Sequence, residues 1–248
     1  MRDNVIQHAS ASLHKVSQEE VAGKLNRLRL VLPEQIVVSD IPVPAVTGTF
    51  PNNFLATRSY VFEVRKAKVS RNIPSVDDLF LPNMVRNGDV TYIPTNLYAI
   101  LQQPVERTVA LDVSLLGVDM AYQLWSFLLE QPWPPETSCS IEAYKSCFNG
   151  SGIADSLKTA ATALGVVSAV DAMMAVDWNV LRSVNGTEAS VGRLVYLMWA
   201  YDRCDPLPIM GPSVDVNMVL RNSPAFRTTF SCPHQTPMAQ RKCCLGTC

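Results

Sequence analysis

The spacing of apolar and polar positions changes character along the chain. Behind Ser17-Gln18-Glu19-Glu20, a capping-box signature, Val21, Leu25, Leu28 and Leu32 recur at helical spacing, and Pro33 ends the predicted helix. Tyr60, Phe62 and Val64 alternate with Val61, Glu63 and Arg65, which predicts a strand. Ser75 opens a short helix with Asp78 at the capping-box position, and Asn87-Gly88 reads as a turn. Residues 90–93 predict a second strand, 95–103 a helical block before Pro104, and the Val-, Leu- and Thr-rich stretch 105–116 a third strand.

From residue 118 the period becomes helical. Ala121, Leu124, Trp125, Leu128 and Leu129 make one apolar face, and Pro132-Trp133-Pro134-Pro135 stops the helix. Further helices are expected over 139–148, over 153–184 with a bend near Gly165, over 187–203 and over 213–221. The expected fold class is α+β, predominantly α-helical. A mobile polar arm (1–16) precedes a mixed, Pro-rich region (17–116), a helical bundle (117–222) and an irregular, Cys-rich tail (223–248).

Composition sharpens this outline. Apolar residues make up 48% and charged residues 17%, and a low-charge surface favours self-association because interface cores are depleted in Lys, Glu and Asp. Prolines number 17 and fall mostly between helix-like stretches, which suits extended connections. The net charge of -1 means that any polyanion contact needs a local patch. No apolar leader precedes the first helix, and the two longest apolar stretches, 109–129 and 153–176, are broken by charges. No membrane insertion is therefore expected. Seven cysteines, an odd number, suggest reduced thiols and a cytoplasmic location, or a virion location for a viral protein. Asn149-Gly150-Ser151 and Asn185-Gly186-Thr187 are formal sequons that read more simply as turns.

Little in the sequence suggests catalysis. There is no phosphate loop, dinucleotide fingerprint or nucleophile elbow. The histidines are His8, His14 and His234, so an imidazole-based site would have to use His234 in the tail. Asp77-Asp78 reads as charge favoured at a helix N-terminus. Cys232, His234, Cys243, Cys244 and Cys248 are zinc-type ligands whose spacing differs from that of common fingers, so no metal, cofactor or small-molecule substrate is expected. The four tryptophans and Met173-Met174 read as core or interface anchors. The one candidate binding segment is basic: Arg58, Arg65, Lys66, Lys68 and Arg71, with Tyr60 and Phe62 interleaved. Cations there could neutralise phosphates and Tyr60 could stack on a base. The alternative is an ordinary strand with solvated charges.

Leu124-Trp125-Ser126-Phe127-Leu128-Leu129 followed by Pro134-Pro135 resembles a helix of filamentous plant-virus coats, and the arm, extended connections and helical core resemble virus coat and nucleocapsid proteins in general character. That resemblance implies a self-assembling, homo-oligomeric structural protein with RNA as a partner. The competing expectation is a helical adaptor that binds a protein partner through an apolar groove. Neither is an enzyme.

Overall fold

The computed structural model describes residues 1–13, 15–35, 84–102, 112–148, 155–175, 188–203, 215–239 and 243–246, together with 55, 56, 58–60, 62, 63 and 66. The fold is predominantly helical α+β. The chain divides into two compact units, one formed by Met1–Leu28 with Val105–Cys248 and the other by Arg29–Pro104.

The first unit is helical. Its elements are α1 (Arg2–Ser12), α2 (Gln18–Leu25), a π-helical turn (Val113–Gly117) that runs directly into α4 (Val118–Glu130), α5 (Pro135–Ser146), α6 (Ser156–Met174), α7 (Glu188–Asp202), α8 (Val216–Arg221) and α9 (Pro224–Thr229). Local chemistry fixes their ends. Ser17 Oγ accepts from the Glu20 amide at the start of α2, as the capping box requires. Asp155, Asp215 and Ser223 cap α6, α8 and α9 in the same way. Glu130 ends α4, and Pro135 stands in the first turn of α5, where a missing amide proton costs nothing.

The core of this unit gathers Trp125, Phe127, Leu128, Tyr144, Phe148, Val166, Val170, Met173, Tyr196 and Trp199, all buried. Helices α4 and α6 lie against each other at its centre. A Cβ on Gly165 would stand 2.9 Å from the Tyr122 amide nitrogen, so glycine lets the two backbones approach closely. This corrects the expected bend: α6 runs unbroken through Gly165 from Ser156 to Met174. It is the one helix, among the described residues, long and apolar enough to cross a membrane, and most of that stretch is buried among its neighbours.

The expected arm is also corrected. Residues 2–12 form a helix, and Val5, Ala9, Leu13 and Val16 are buried in the main core. Their spacing of about one helical turn makes an apolar stripe, which pulls the segment onto the core despite its polar composition. The tail is only partly irregular, since α9 and a short 3-10 turn (Pro237–Ala239) lie within it.

The second unit holds a three-stranded sheet, β1 (Arg29–Val31), β2 (Val85–Asn87) and β3 (Val90–Tyr92), in the order β1-β3-β2. β1 pairs with β3 in parallel, Leu30 opposite Thr91, and β2 pairs with β3 antiparallel, Arg86 opposite Thr91. Gly88 turns the hairpin with φ +58, a conformation that favours glycine. Helix α3 (Thr95–Gln102) follows, as the helical block before Pro104 predicts. Two expected strands are corrected. Residues 112–117 are helical, continuous with α4, so the Val/Leu/Thr-rich run ends as the approach to a helix. Leu55, Ala56, Arg58–Tyr60, Phe62, Glu63 and Lys66 are helical too. Six alternating residues cannot distinguish a strand from a helix, and the Leu, Ala, Arg, Glu and Lys around them are good helix formers.

Candidate functional site

Of the predicted nucleic-acid-binding residues, Arg58, Tyr60 and Lys66 are described. Arg58 and Lys66 are exposed and Tyr60 is partly buried, all on helical backbone. Phe62 is also exposed, so it is not the core-facing strand residue that alternation suggested. Arg65, Lys68 and Arg71 lie outside the described residues, as do His14, the predicted helix from Ser75 with Asp77-Asp78, and the two sequons. Arg27 hydrogen-bonds Gln131 and is thereby committed to the helical unit.

The most chemically suggestive constellation was not foreseen. His8 projects from α1 between two side chains of α6. Its Nε2 stands 2.9 Å from Asp171 Oδ2, and its Nδ1 stands 3.3 Å from Ser168 Oγ. Ser168 and Asp171 share a face of α6 because they are three residues apart. Trp125 Nε1, from α4, donates to Ser168 Oγ at 2.9 Å. The set has the residue types of a Ser/His/Asp triad. It differs in its surroundings: Ser168 is fully buried in the middle of a helix, with the indole already on its oxygen. A nucleophile has to reach its electrophile and needs donors for the developing oxyanion. Here the three side chains and Trp125 join α1, α4 and α6 instead.

The same pattern recurs around α7. Tyr196 OH shares a 2.7 Å hydrogen bond with Ser223 Oγ, which also caps α9. Burial pushes the Tyr196 phenol up to about 12. Asp119, in the first turn of α4, pairs with Arg203 at 2.7 Å. Lys158, on the first turn of α6, is held below its ordinary value, first by burial and then by the nearby Arg203 guanidinium.

The cysteines correct the expectation of reduced thiols. Cys147 and Cys243 form a disulfide that links the end of α5 to the tail across 96 residues of sequence, and Cys139 is disulfide-bonded as well. Cys243 is thereby removed from any zinc ligand set in the tail. Among the described residues no three His, Cys, Asp or Glu side chains stand together in a way that could hold a metal ion. Sequence spacing gives no signal for this pairing, because cysteine connectivity cannot be deduced from position alone. His8 did leave a signal, the Val5, Ala9, Leu13 and Val16 stripe that carries it onto the core.

No family model and no curated protein matches the chain. Among solved structures, its fold is similar to that of a zinc metalloprotease of Mycobacterium tuberculosis determined in complex with an inhibitor. The TM-score is 0.55 at 15% identity, over 95% of this chain and 44% of that one. The chain thus spans less than half the length of that protease, and at this identity the likeness is one of fold.

Proposed function

We propose that the chain is a non-catalytic module that binds a protein partner, on a helical fold shared with a zinc metalloprotease. The observation that carries this reading is the use made of His8, Ser168 and Asp171. A nucleophile, a base and an acid come together, and all three hold helices to one another with the serine out of reach of any substrate. Zinc peptidases of the His-Glu-x-x-His type place two histidines one turn apart on a helix, with the glutamate as general base. With histidines only at 8, 14 and 234, these 248 residues contain no such motif. The donors that are present do not fit a peptidase zinc site.

A binding role finds support in α7. Leu197 and Tyr201 stand one turn apart, 57% and 83% exposed, and offer apolar surface of the kind helical adaptors present. The disulfides favour an oxidising compartment over the cytoplasm for this function. The coat-like reading, in which copies assemble around RNA, loses its mobile arm, because α1 is part of the core.

Size-exclusion chromatography with light scattering, read at 260 and 280 nm, separates the two. The adaptor reading expects a compact, low-mass species with the absorbance of protein alone. A large particle carrying nucleic acid would overturn it in favour of coat assembly. Incubation with zinc and a mixed fluorogenic peptide pool is expected to give no turnover. Turnover that a zinc chelator abolishes would overturn the non-catalytic part.

A further inference from the structure

We propose that residues 243–246 form a redox-released clasp on the first helix. Four residues of tail bridge three distant parts of the helical unit. The Cys147–Cys243 bond fixes them to the end of α5. The Cys243 amide donates to Asn222 Oδ1 at 2.9 Å, just beyond α8, and the Gly246 amide donates to Ser140 Oγ at 2.8 Å on α5. Leu245 packs against the main core. Gly246, with φ +102, passes so close to the end of α1 that a Cβ there would stand 2.4 Å from the Ser12 carbonyl oxygen. The covalent bond therefore ends in a backbone contact on α1.

Helix α1 depends on such contacts. It has 11 residues, below the length at which an isolated helix is stable in water, and no side chain caps its N-terminus. It is seated by Val5, Ala9 and Leu13, by the His8 contacts to α6 and by the tail. Among these only the tail contact is secured by a bond that chemistry can open and close.

Cys147 is half-buried and Cys243 buried, so a dithiol reductant meets the Cys147 sulfur first. Its thiolate attacks Cys147 Sγ, the S–S bond breaks, and Cys243 leaves as a thiolate and takes up a proton. The reductant's second thiol then closes on the mixed disulfide. The dithiol supplies two electrons and becomes a disulfide, and Cys147 and Cys243 become thiols. With the bond open, residues 243–246 retain hydrogen bonds and the packing of Leu245, which is too little to keep the tail pressed on Ser12.

Hydrogen exchange read by mass spectrometry tests this on the whole chain. Three samples are compared: oxidised protein, protein reduced by dithiothreitol without denaturant, and Cys147→Ser/Cys243→Ser. Exchange in peptides covering α1 is expected to rise roughly tenfold on reduction, while peptides from α6 keep their protection. Reoxidation restores α1. If thiol labelling shows the bond fully reduced and α1 exchange is unchanged, the clasp is wrong. If α1 and α6 lose protection together, the bond is a staple for the whole unit and the proposal fails equally. Because the double variant could misfold, Gly246→Ala in the oxidised protein provides a second arm. Its Cβ would force the tail off Ser12 with the disulfide intact, so α1 should again exchange faster than α6. An unchanged α1 in that variant overturns the proposal.

Discussion

Trp125 in the helical unit and Tyr92 in the sheet are both buried, and they are held in different ways. Trp125 is fully buried among side chains from several helices, and its indole nitrogen donates to Ser168. Tyr92 closes a small cluster with Val31 and Val90, next to strands that are three residues long. In the helical unit most buried polar groups find partners. Trp133 Nε1 donates to the Leu128 carbonyl, Asn222 Nδ2 to the Met218 carbonyl, and Tyr196 pairs with Ser223. Trp199 Nε1 and Thr159 Oγ1 are exceptions, as are the Nε atoms of Arg203 and Arg221, whose Nη2 atoms are bonded. In the sheet, the Thr91 hydroxyl is buried without a partner among the described residues. A core that draws on both ends of the chain has enough neighbouring groups to satisfy polar side chains internally. Among the described residues, the three-residue strands offer their ladder and few side chains beyond it.

The largest test of that contrast is Trp125→Ala. It removes a large buried side chain and the donor on Ser168, and should cost about 3–5 kcal/mol in denaturant unfolding. A cost near that of a surface substitution would mean that the helical core is looser than its packing implies. The next test is alkaline pH. A Tyr196 phenol raised from 10.0 to about 12 is fully protonated in both states below pH 10, so its contribution is complete there. As pH rises from 10 towards 12 the unfolded chain ionises first and stability falls, by about 2–3 kcal/mol in all. Tyr196→Phe should remove this pH dependence, as followed by thermal melting between pH 9 and 12. An unaltered slope in the variant would assign the loss to other groups. The smallest effect belongs to the sheet. Thr91→Val removes an unsatisfied hydroxyl and keeps a β-branched shape, and should stabilise by about 1 kcal/mol or less. A loss of stability would reveal a partner for that hydroxyl and narrow the difference between the units.

The legible parts of the fold were those whose signals are local. Ser17 and Glu20 announced the start of α2, but the expected run to Pro33 is corrected, because α2 ends at Leu25 and Arg29–Val31 form β1; the Trp125 face with its following prolines announced α4 together with its stop. What failed depended on distance in sequence. His8 stood in a segment that looked like a polar arm, and its partners Ser168 and Asp171 are more than 150 residues away. Gly165 looked like a helix breaker because the Tyr122 backbone that needs it belongs to another helix. The Tyr60–Phe62 alternation was too short to exclude a helix. The candidate site shared that fate: His8, Ser168 and Asp171 were visible one by one, and the hydrogen-bonded set in which the fold joins them was not.

The buried course of α6 has a consequence for how the chain is made. Val5 and Ala9 are made well before the helix that shares their core, which spans Ser156–Met174. More than half of the chain must be synthesised before the N-terminal stripe finds its seat. Contacts so distant in sequence slow folding. Until they form, a 19-residue apolar helix, membrane-like in length and hydropathy, lacks part of the packing that buries it. The folding chain therefore passes through an interval in which apolar surface of α6 is open to aggregation, and packing of the helical unit closes it.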